Sequence, residues 1–129
     1  MFKHSLAAVV AALMFVSQAQ ADENSPAYTQ CMDKASSTVA MSACIKDETK
    51  LQDDRLNRVY KQLLGKLDAP QQKSLREVQR DWISFRDKNC KFHVQASGGT
   101  MAQLEGGMCV LDMTRERAAE LERILSPGQ

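Results

Sequence analysis

Apolar residues along most of the chain recur every three or four positions, which is the spacing of one face of an α-helix. The longest pattern runs from Val39 to Leu67 and predicts an amphipathic helix of about eight turns. Similar patterns predict a short helix over residues 28–35, a long one over residues 71–93 and a last one over residues 108–125. The chain has neither strand-like alternation nor an internal repeat. The pattern therefore predicts an all-α fold, a small antiparallel bundle of one short and three longer helices.

Polar clusters between these patterns supply the expected helix ends. Ser36-Ser37-Thr38 offers hydroxyl groups that can cap the longest helix, and Asp68-Ala69-Pro70 offers a cap followed by a proline suited to a first turn. Thr100 and Gln103 have the spacing of a capping box. Gly106-Gly107 follows, so we expect the segment before these glycines to form only a turn or two.

The third helix contains the most distinctive stretch of the chain, residues 79–90, which includes the only Trp. Trp82 and Phe85 share one side of this helix and are expected in the core, because aromatic residues at helical spacing usually pack inside. We expect the other helices to pack against this one. Glu48 lies about level with Arg86 when residues are counted from the turn between their helices. A partly buried ion pair is expected rather than a binding role, since either charge buried alone would be costly.

The four cysteines predict two disulfides. They are separated by gaps of 13, 46 and 19 residues, whereas zinc sites usually have close pairs two to four residues apart. An even number of cysteines in a small exported domain favours disulfides. Counting from the turns brings all four to one end of the bundle but leaves the three possible pairings open. These cysteines are Cys31, Cys44, Cys90 and Cys109.

The N-terminus predicts export. Lys3 is followed by an apolar run from Leu6 to Val16 and by Ala19-Gln20-Ala21, which is a typical signal-peptide cleavage site. The apolar run is too short to span a membrane, and no later segment has membrane-spanning length. We therefore expect a soluble periplasmic or secreted protein. The predicted organisation is a cleaved signal peptide, a disordered tail and one helical domain, over residues 1–21, 22–27 and 28–125.

The charge balance excludes some partners. The whole chain has 17 Lys and Arg against 16 Asp and Glu, and cleavage would remove Lys3 and leave the two signs equal. A nucleic-acid-binding protein would normally have a concentrated basic excess, so nucleic acid is not expected as a partner. The near-zero net charge also gives no long-range attraction to an anionic membrane, and no membrane insertion is expected.

Candidate chemistry is sparse. His93 is the only His that remains after cleavage, and no Ser or Cys lies at a spacing recognisable for nucleophilic catalysis. The carboxylates are scattered among Lys and Arg, which gives no specific support for a glycosidase acid pair. We therefore expect neither an enzyme nor a metal or other cofactor.

A polar glycine-rich segment over residues 95–107 is the best candidate for a binding site. It contains four of the six Gly and is expected to be exposed, as a loop next to the cross-linked end. A plain connector is the alternative and, from the segment alone, the favoured one. The residues that would enter a partner's groove are Ser97, Gly98, Gly99, Thr100 and Glu105.

Ordered motifs cover nearly all of the chain from Tyr28 to Leu125. They are Cys31…Ser37-Thr38…Met41…Cys44…Glu48, Asp54-x-Leu56-Asn57-x-x-Tyr60-x-x-Leu63, Gln79-Arg80-x-Trp82-Ile83-x-Phe85-Arg86-Asp87-x-x-Cys90, Gly98-Gly99-Thr100, Cys109 and Thr114-x-x-Arg117. Together they resemble the LprI-type lysozyme-inhibitor domain family. The member for which the family is named is a lipoprotein, whereas this chain lacks the lipidated Cys.

The resemblance implies a small helical, disulfide-bonded periplasmic protein with lysozyme as its partner. It also implies that most motif residues maintain the fold rather than contact the partner. The alternative is a non-enzymatic envelope stress or interaction protein that uses a helix face, and it predicts an exposed apolar patch away from the loop. The motif residues expected to be structural are Glu48, Asn57, Tyr60, Trp82, Phe85 and Arg86.

Overall fold

The computed structural model describes residues 23–128, which fold into four α-helices without a β-strand in that range. This confirms the predicted all-α class, with one short and three longer helices. The predicted signal peptide, residues 1–21, lies outside the described residues. The helices are α1 (Pro26–Lys34), α2 (Thr38–Leu64), α3 (Ala69–Ser97) and α4 (Ala102–Leu125).

Side-chain caps fix the starts of the first three helices. The Ser37 hydroxyl accepts a hydrogen bond from the Ala40 N–H at 3.1 Å, which confirms the predicted cap of α2. Asp68 and Gln71 form a capping box at the start of α3, with Pro70 in the first turn. Ser25 caps α1 in the same way as Ser37 caps α2. These local interactions place the helix starts close to where the sequence predicts them.

The helix in the centre of the bundle is α4 rather than α3. α4 packs along both α2 and α3, whereas α2 and α3 make little contact with each other. The prediction that the other helices pack against α3 is therefore wrong. The physical reason is the size of the α4 side chains: Gly106, Thr114, Ala118 and Ala119 are buried and let two helices approach closely.

Two groups of apolar side chains form the core along α4. The first joins Leu56, Val59 and Leu63 of α2 to Ala118 and Leu121 of α4, with the partly buried Trp82 and Tyr60 packed against it. The second joins Ile45 to Leu104 and Leu111, and Tyr28 and Met32 of α1 cover it. The predicted packing roles of Trp82 and Tyr60 agree with these contacts. Asn57 is exposed, with one hydrogen bond of 3.3 Å to Asp53.

The disulfides join Cys31 to Cys44 and Cys90 to Cys109. The first ties α1 to α2, and the second ties α3 to α4. The two predicted cross-links are thus confirmed, and the pairing that the sequence left open is defined. Loops of 13 and 19 residues are closed, and loop entropy gives a stabilisation of about 3 kcal/mol for each.

The expected ion pair between Glu48 and Arg86 is absent, and that prediction is wrong. Glu48 accepts hydrogen bonds from Ser25 and Gln52, while Arg86 bonds to Asp87 and Thr114. The prediction assumed that α2 and α3 pack directly across their turn. Because α4 packs against both helices instead, the two side chains find partners elsewhere.

Two further expectations are corrected. Phe85 is 60% exposed rather than in the core, because the side of α3 that carries it faces away from α4. The disordered tail predicted over residues 22–27 is wrong for Ser25, Pro26 and Ala27. Pro26 and Ala27 begin α1, and Ser25 is bound through its N–H and its hydroxyl to the buried Glu48.

Candidate functional site

The connection between α3 and α4 is a short loop, Gly98–Met101. Gly98 and Gly99 have φ angles of 64° and 73°, in the left-handed region that glycine adopts without strain. The Gly98 N–H donates to the Val94 carbonyl, and the Ala102 N–H donates to the Gly99 carbonyl, both at 3.3 Å. The chain therefore reverses direction tightly, and two consecutive glycines make this possible.

A side-chain hydrogen bond closes the base of this loop. The Ser97 hydroxyl, at the end of α3, donates to the Glu105 carboxylate in the first turn of α4. Both residues are exposed. A carboxylate in a first turn also interacts favourably with the helix dipole. The structure thus brings Ser97 and Glu105 together beneath Gly98, Gly99 and Thr100, as one contiguous surface.

The loop rests on a rigid base. The Cys90–Cys109 disulfide joins the two helices that carry it. Ala102 and Leu104, immediately after the loop, are both 3% exposed and anchor the start of α4 in the core. A loop held by a covalent cross-link and by buried neighbours loses little conformational entropy when it binds, which favours affinity.

The exposed surface of the loop is rich in hydrogen-bond donors. Within residues 23–128, no backbone carbonyl accepts from the N–H groups of Gly99, Thr100 or Met101. The Thr100 side chain is exposed and adds a hydroxyl group. Met101 is 51% exposed and supplies an apolar surface beside these donors. The loop can therefore offer several donors and one flexible apolar side chain to a partner.

The loop is shorter than the predicted segment, residues 95–107. α3 continues to Ser97, and α4 begins at Ala102 and runs through Gly106 and Gly107 without interruption. The predicted capping box is wrong, because the N-cap of α4 is Met101 and makes no side-chain hydrogen bond.

The two glycines inside α4 serve helix packing. A Cβ atom built on Gly106 would collide with the Val94 side chain of α3, and one on Gly107 would lie 3.3 Å from Ile45 Cγ2 of α2. Glycine inside a helix costs about 1 kcal/mol relative to alanine. Close packing of α4 against both neighbours offsets that cost. A Gly-Gly pair in sequence does not reveal whether it breaks a helix or packs it, and this ambiguity explains the wrong loop length.

The motif residues of α3 and α4 meet at the interface between these helices. Arg117 Nε donates to Gln79 Oε1 at 3.1 Å, and both side chains are buried. Arg86 Nη1 donates to Thr114 Oγ1 at 3.3 Å, and its guanidinium lies 5.1 Å from the centroid of the Trp82 ring. The sequence does not reveal that Gln79 and Arg117 bond to each other. It does place each of them in a motif at helical spacing from apolar or small residues, which indicates a polar side chain near a helix interface.

A second polar cluster surrounds Glu48, which is 3% exposed. Its carboxylate accepts from the Ser25 N–H at 2.8 Å, from the Ser25 hydroxyl at 2.6 Å and from Gln52 Nε2 at 2.9 Å. Burial by itself raises the pKa of this carboxyl, but the hydrogen bonds from Ser25 and Gln52 and the charge of Arg115 outweigh it and hold the pKa below its ordinary value. Glu48 is therefore a charged structural residue that fixes the start of α1.

The described chain offers little for catalysis. Within residues 23–128, no three His, Cys, Asp or Glu side chains gather closely enough to hold a metal ion. His93 is exposed on α3, with its ring centroid 6.2 Å from that of Phe92. None of the helices in this range has the length and apolar character needed to cross a membrane.

Comparison with known proteins gives the family. An uncharacterized protein of Rhizobium meliloti (strain 1021) is 28% identical over 110 residues, in an alignment that covers 74% of this chain and 79% of the relative. No solved structure matches the chain. The family model described as Lysozyme inhibitor LprI matches residues 31–121, which is well over half of the chain. The helical fold, the two disulfides and this match agree, and the chain belongs to the LprI lysozyme-inhibitor family.

Proposed function

We propose that this protein is an exported, non-enzymatic inhibitor of lysozyme that acts in the periplasm or outside the cell. The proposal rests on membership of the LprI lysozyme-inhibitor family, and lysozyme is proposed as the partner for that reason. The predicted signal peptide, residues 1–21, supports export to the compartment in which lysozyme attacks the cell wall.

The inhibitory surface is the loop Gly98–Met101 together with Ser97 and Glu105. A lysozyme has a concave cleft with a catalytic pair of carboxyl groups and a generally basic surface around it. The backbone N–H groups of Gly99 and Thr100 are available to donate to cleft carboxylates, and the absence of glycine side chains allows close approach. Glu105, at the base of the loop, pairs with a basic group at the rim of the cleft.

The rigidity of the loop favours it, rather than a helix face, as the surface that binds lysozyme. The loop is braced by the Ser97–Glu105 hydrogen bond and lies about two helical turns from the Cys90–Cys109 disulfide. Pre-organised loops bind with a smaller entropy loss than flexible ones. Thr100 at the tip is exposed, so it can be changed without disturbing the core.

The test is a cell-wall lysis assay with the purified mature protein, residues 22–129, and several classes of lysozyme. At least one lysozyme should be inhibited in a dose-dependent manner by the unchanged protein. The variant Thr100→Glu places a carboxylate at the tip, where it would meet the carboxylates of the cleft and be repelled by them. We expect it to raise the inhibitory concentration about tenfold or more, the effect of removing one well-buried contact.

The matched control is Ser36→Glu. Ser36 is likewise exposed in a short connection between helices, but it lies between α1 and α2. This variant should inhibit as the unchanged protein does. If all the lysozymes remain fully active at high micromolar concentrations of the unchanged protein, the proposed function is wrong. If both variants inhibit equally well, the loop is not the binding surface.

A second candidate function is favoured by one observation. The alternative of an envelope interaction protein predicts an exposed apolar patch on a helix, and α3 carries such residues, among them Val78, Phe85 and Phe92. Replacing Gly98-Gly99-Thr100 distinguishes the two functions. An inhibitor should lose its activity on this change, whereas a protein that acts through the α3 face should keep its interaction.

A further inference from the structure

The surface of α3 carries a stripe of exposed apolar side chains, Val78, Phe85 and Phe92. They are 52%, 60% and 62% exposed, respectively. Successive members are seven residues apart, which is two helical turns, and such positions drift by only about 20° around the helix. The three side chains therefore lie along one line of the helix, about 10.5 Å apart over a length of about 21 Å.

The packing of the bundle leaves this stripe uncovered. α3 packs on α4 through a different side, on which Gln79 and Cys90 are buried. α3 makes little contact with α2. Single exposed apolar residues are ordinary on protein surfaces, and it is the alignment of three large ones along one helix that makes this line a candidate interaction surface.

Two charged residues border the stripe and indicate what covers it. Asp81 and Lys88 are exposed, and neither is paired with another residue of the described range 23–128. They are seven residues apart, about 10.5 Å along the helix, which is too far for an ion pair within one copy. Opposite charges flanking an apolar seam set the orientation of paired helices.

We propose that α3 of a second copy of this chain covers the stripe, in a two-fold symmetric dimer with the two α3 helices antiparallel. With the two-fold axis at Phe85, each Phe85 meets its counterpart, and Val78 lies level with Phe92 of the other copy. Asp81 of one copy then lies within one residue of the level of Lys88 of the other, and the reverse pair forms as well. In a parallel pair, Asp81 would be level with Asp81 and Lys88 with Lys88, so no opposite charges would meet, and only the antiparallel arrangement pairs them.

This dimer is compatible with the proposed inhibition but does not depend on it. Gly98 lies 13 residues beyond Phe85, so the two loops would be at opposite ends of the paired helices, about 39 Å apart. Each loop remains open to a separate partner. A monomeric chain that inhibits lysozyme would overturn the dimer alone, and a dimeric chain without inhibition would overturn the proposed function alone.

Sedimentation of the mature chain, residues 22–129, tests the association. The unchanged protein should sediment as a dimer at high micromolar concentrations and dissociate on dilution. Phe85→Ser removes the central apolar residue from both copies of the dimer. The dimer dissociation constant of this variant should rise about tenfold or more. Leu51→Ser is the matched control, because Leu51 is 47% exposed on α2, and this variant should dimerise as the unchanged protein does.

A charge exchange tests the flanking pairs. Asp81→Lys should weaken the dimer, because Lys then faces Lys88 of the other copy. Adding Lys88→Asp in the same chain restores opposite charges and should recover most of the affinity. Circular dichroism of each variant verifies that the helices remain folded. A double variant that dimerises no better than Asp81→Lys alone contradicts the pairing.

Cross-linking determines the direction of the helices. In the antiparallel arrangement, a mixture of Val78→Cys and Phe92→Cys chains should form disulfide-linked heterodimers, and neither chain alone should cross-link efficiently. A parallel pair would instead link Val78→Cys to itself. That result overturns the proposal, and so does a chain that stays monomeric at every concentration tested, since a different partner must then cover the stripe.

Discussion

Glu48 shows how a single buried charge is accommodated in this small bundle. It lies on α2 with 3% of its surface exposed, and its carboxylate accepts three hydrogen bonds, two of them from Ser25. Ser25 in turn caps α1. One carboxylate thus fixes the end of a helix that is otherwise held by the Cys31–Cys44 disulfide and by a few apolar contacts.

Replacing Glu48 by Gln should change how stability depends on pH. The pKa of Glu48 is lowered in the folded protein from an ordinary value of 4.5, so the unfolded chain takes up the proton first as the pH falls. Its stabilising contribution is complete above pH 4.5 and is lost as the pH falls through the folded-state pKa. The unfolding free energy of Glu48→Gln should therefore fall less steeply below that pH.

The same variant should be less stable at neutral pH by about 1–3 kcal/mol, because hydrogen bonds to a charged group are lost. Urea unfolding at a series of pH values measures both effects. Glu77→Gln, at an exposed position of α3, is the control for the loss of one negative charge. A Glu48→Gln curve parallel to that of the unchanged protein contradicts the assigned role of Glu48.

Phe85 and Trp82 show what residue patterns can and cannot predict. They are three positions apart on α3, and helical spacing predicts that both lie on one side of the helix, in the core. The pattern does not say where the adjacent helix lies. Trp82 turns toward the core and lies beside Arg86, whereas Phe85 is 60% exposed. Apolar character alone cannot separate a core residue from one that is available to a partner.

At the scale of elements, the two glycines of α4 determine how closely the three long helices pack. Gly106 faces α3 at Val94, and Gly107 faces α2 at Ile45. Consecutive residues on a helix point about 100° apart, so one Gly-Gly pair serves two neighbours. This arrangement gives α4 its central position at the level of the Cys90–Cys109 disulfide.

Gly106→Ala should destabilise the protein by about 1–3 kcal/mol, since the added methyl overlaps the stiff Val94 side chain and overpacks the interface. Thermal or urea unfolding measures the change. Gly107→Ala is the comparison, because its methyl would lie 3.3 Å from Ile45 Cγ2, a contact that a shift of a few tenths of an ångström relieves, and alanine favours the helix. It should destabilise the protein less than Gly106→Ala does.

A second-site change tests the cause of the effect. In Gly106→Ala combined with Val94→Ala, the methyl groups that clash are removed, and part of the lost stability should return relative to Val94→Ala alone. Equal losses for Gly106→Ala in both backgrounds would show that the overlap with Val94 is not the reason.

The starts of the first three helices follow from the sequence because caps are local. Ser37 and Asp68 accept hydrogen bonds from residues three positions ahead, and the sequence alone reveals that spacing. The start of α4 does not follow in this way. It has no side-chain cap, and its glycines are explained only by contacts with distant residues such as Val94 and Ile45. Which helix lies in the centre depends on such contacts, so the sequence pattern does not predict it.

At the scale of the whole molecule, the two disulfides have different roles. Cys31–Cys44 attaches the short α1 to α2, and Cys90–Cys109 lies beneath the loop Gly98–Met101. Both should stabilise the fold by similar amounts, since they close loops of 13 and 19 residues. Only the second also maintains the geometry of the proposed binding surface.

Removing each disulfide should separate these roles. Cys90→Ser with Cys109→Ser and Cys31→Ser with Cys44→Ser should each lower the unfolding free energy by about 2–4 kcal/mol. Under conditions where both variants remain folded, the first should inhibit lysozyme more weakly because its loop is less restrained. Equal inhibition by the two variants contradicts a binding surface at the loop.

The candidate site was predictable in composition but not in shape. The sequence singles out Ser97, Gly98, Gly99, Thr100 and Glu105, and the structure places Ser97 at the end of α3 and Glu105 in the first turn of α4, on either side of the loop. The hydrogen bond between Ser97 and Glu105 requires α4 to begin at Ala102, which the sequence pattern did not indicate. A broad flexible segment was expected, and a tight braced turn is observed.

Competition for the lysozyme cleft tests most directly whether the loop inhibits lysozyme by entering its cleft. Binding of the mature protein to a lysozyme that it inhibits should be measured by titration calorimetry, with and without an oligosaccharide that fills the cleft. Cleft insertion predicts one loop per lysozyme and an apparent affinity that falls in proportion to the oligosaccharide concentration. Unchanged affinity with the cleft filled, or no binding to any lysozyme, would contradict the account.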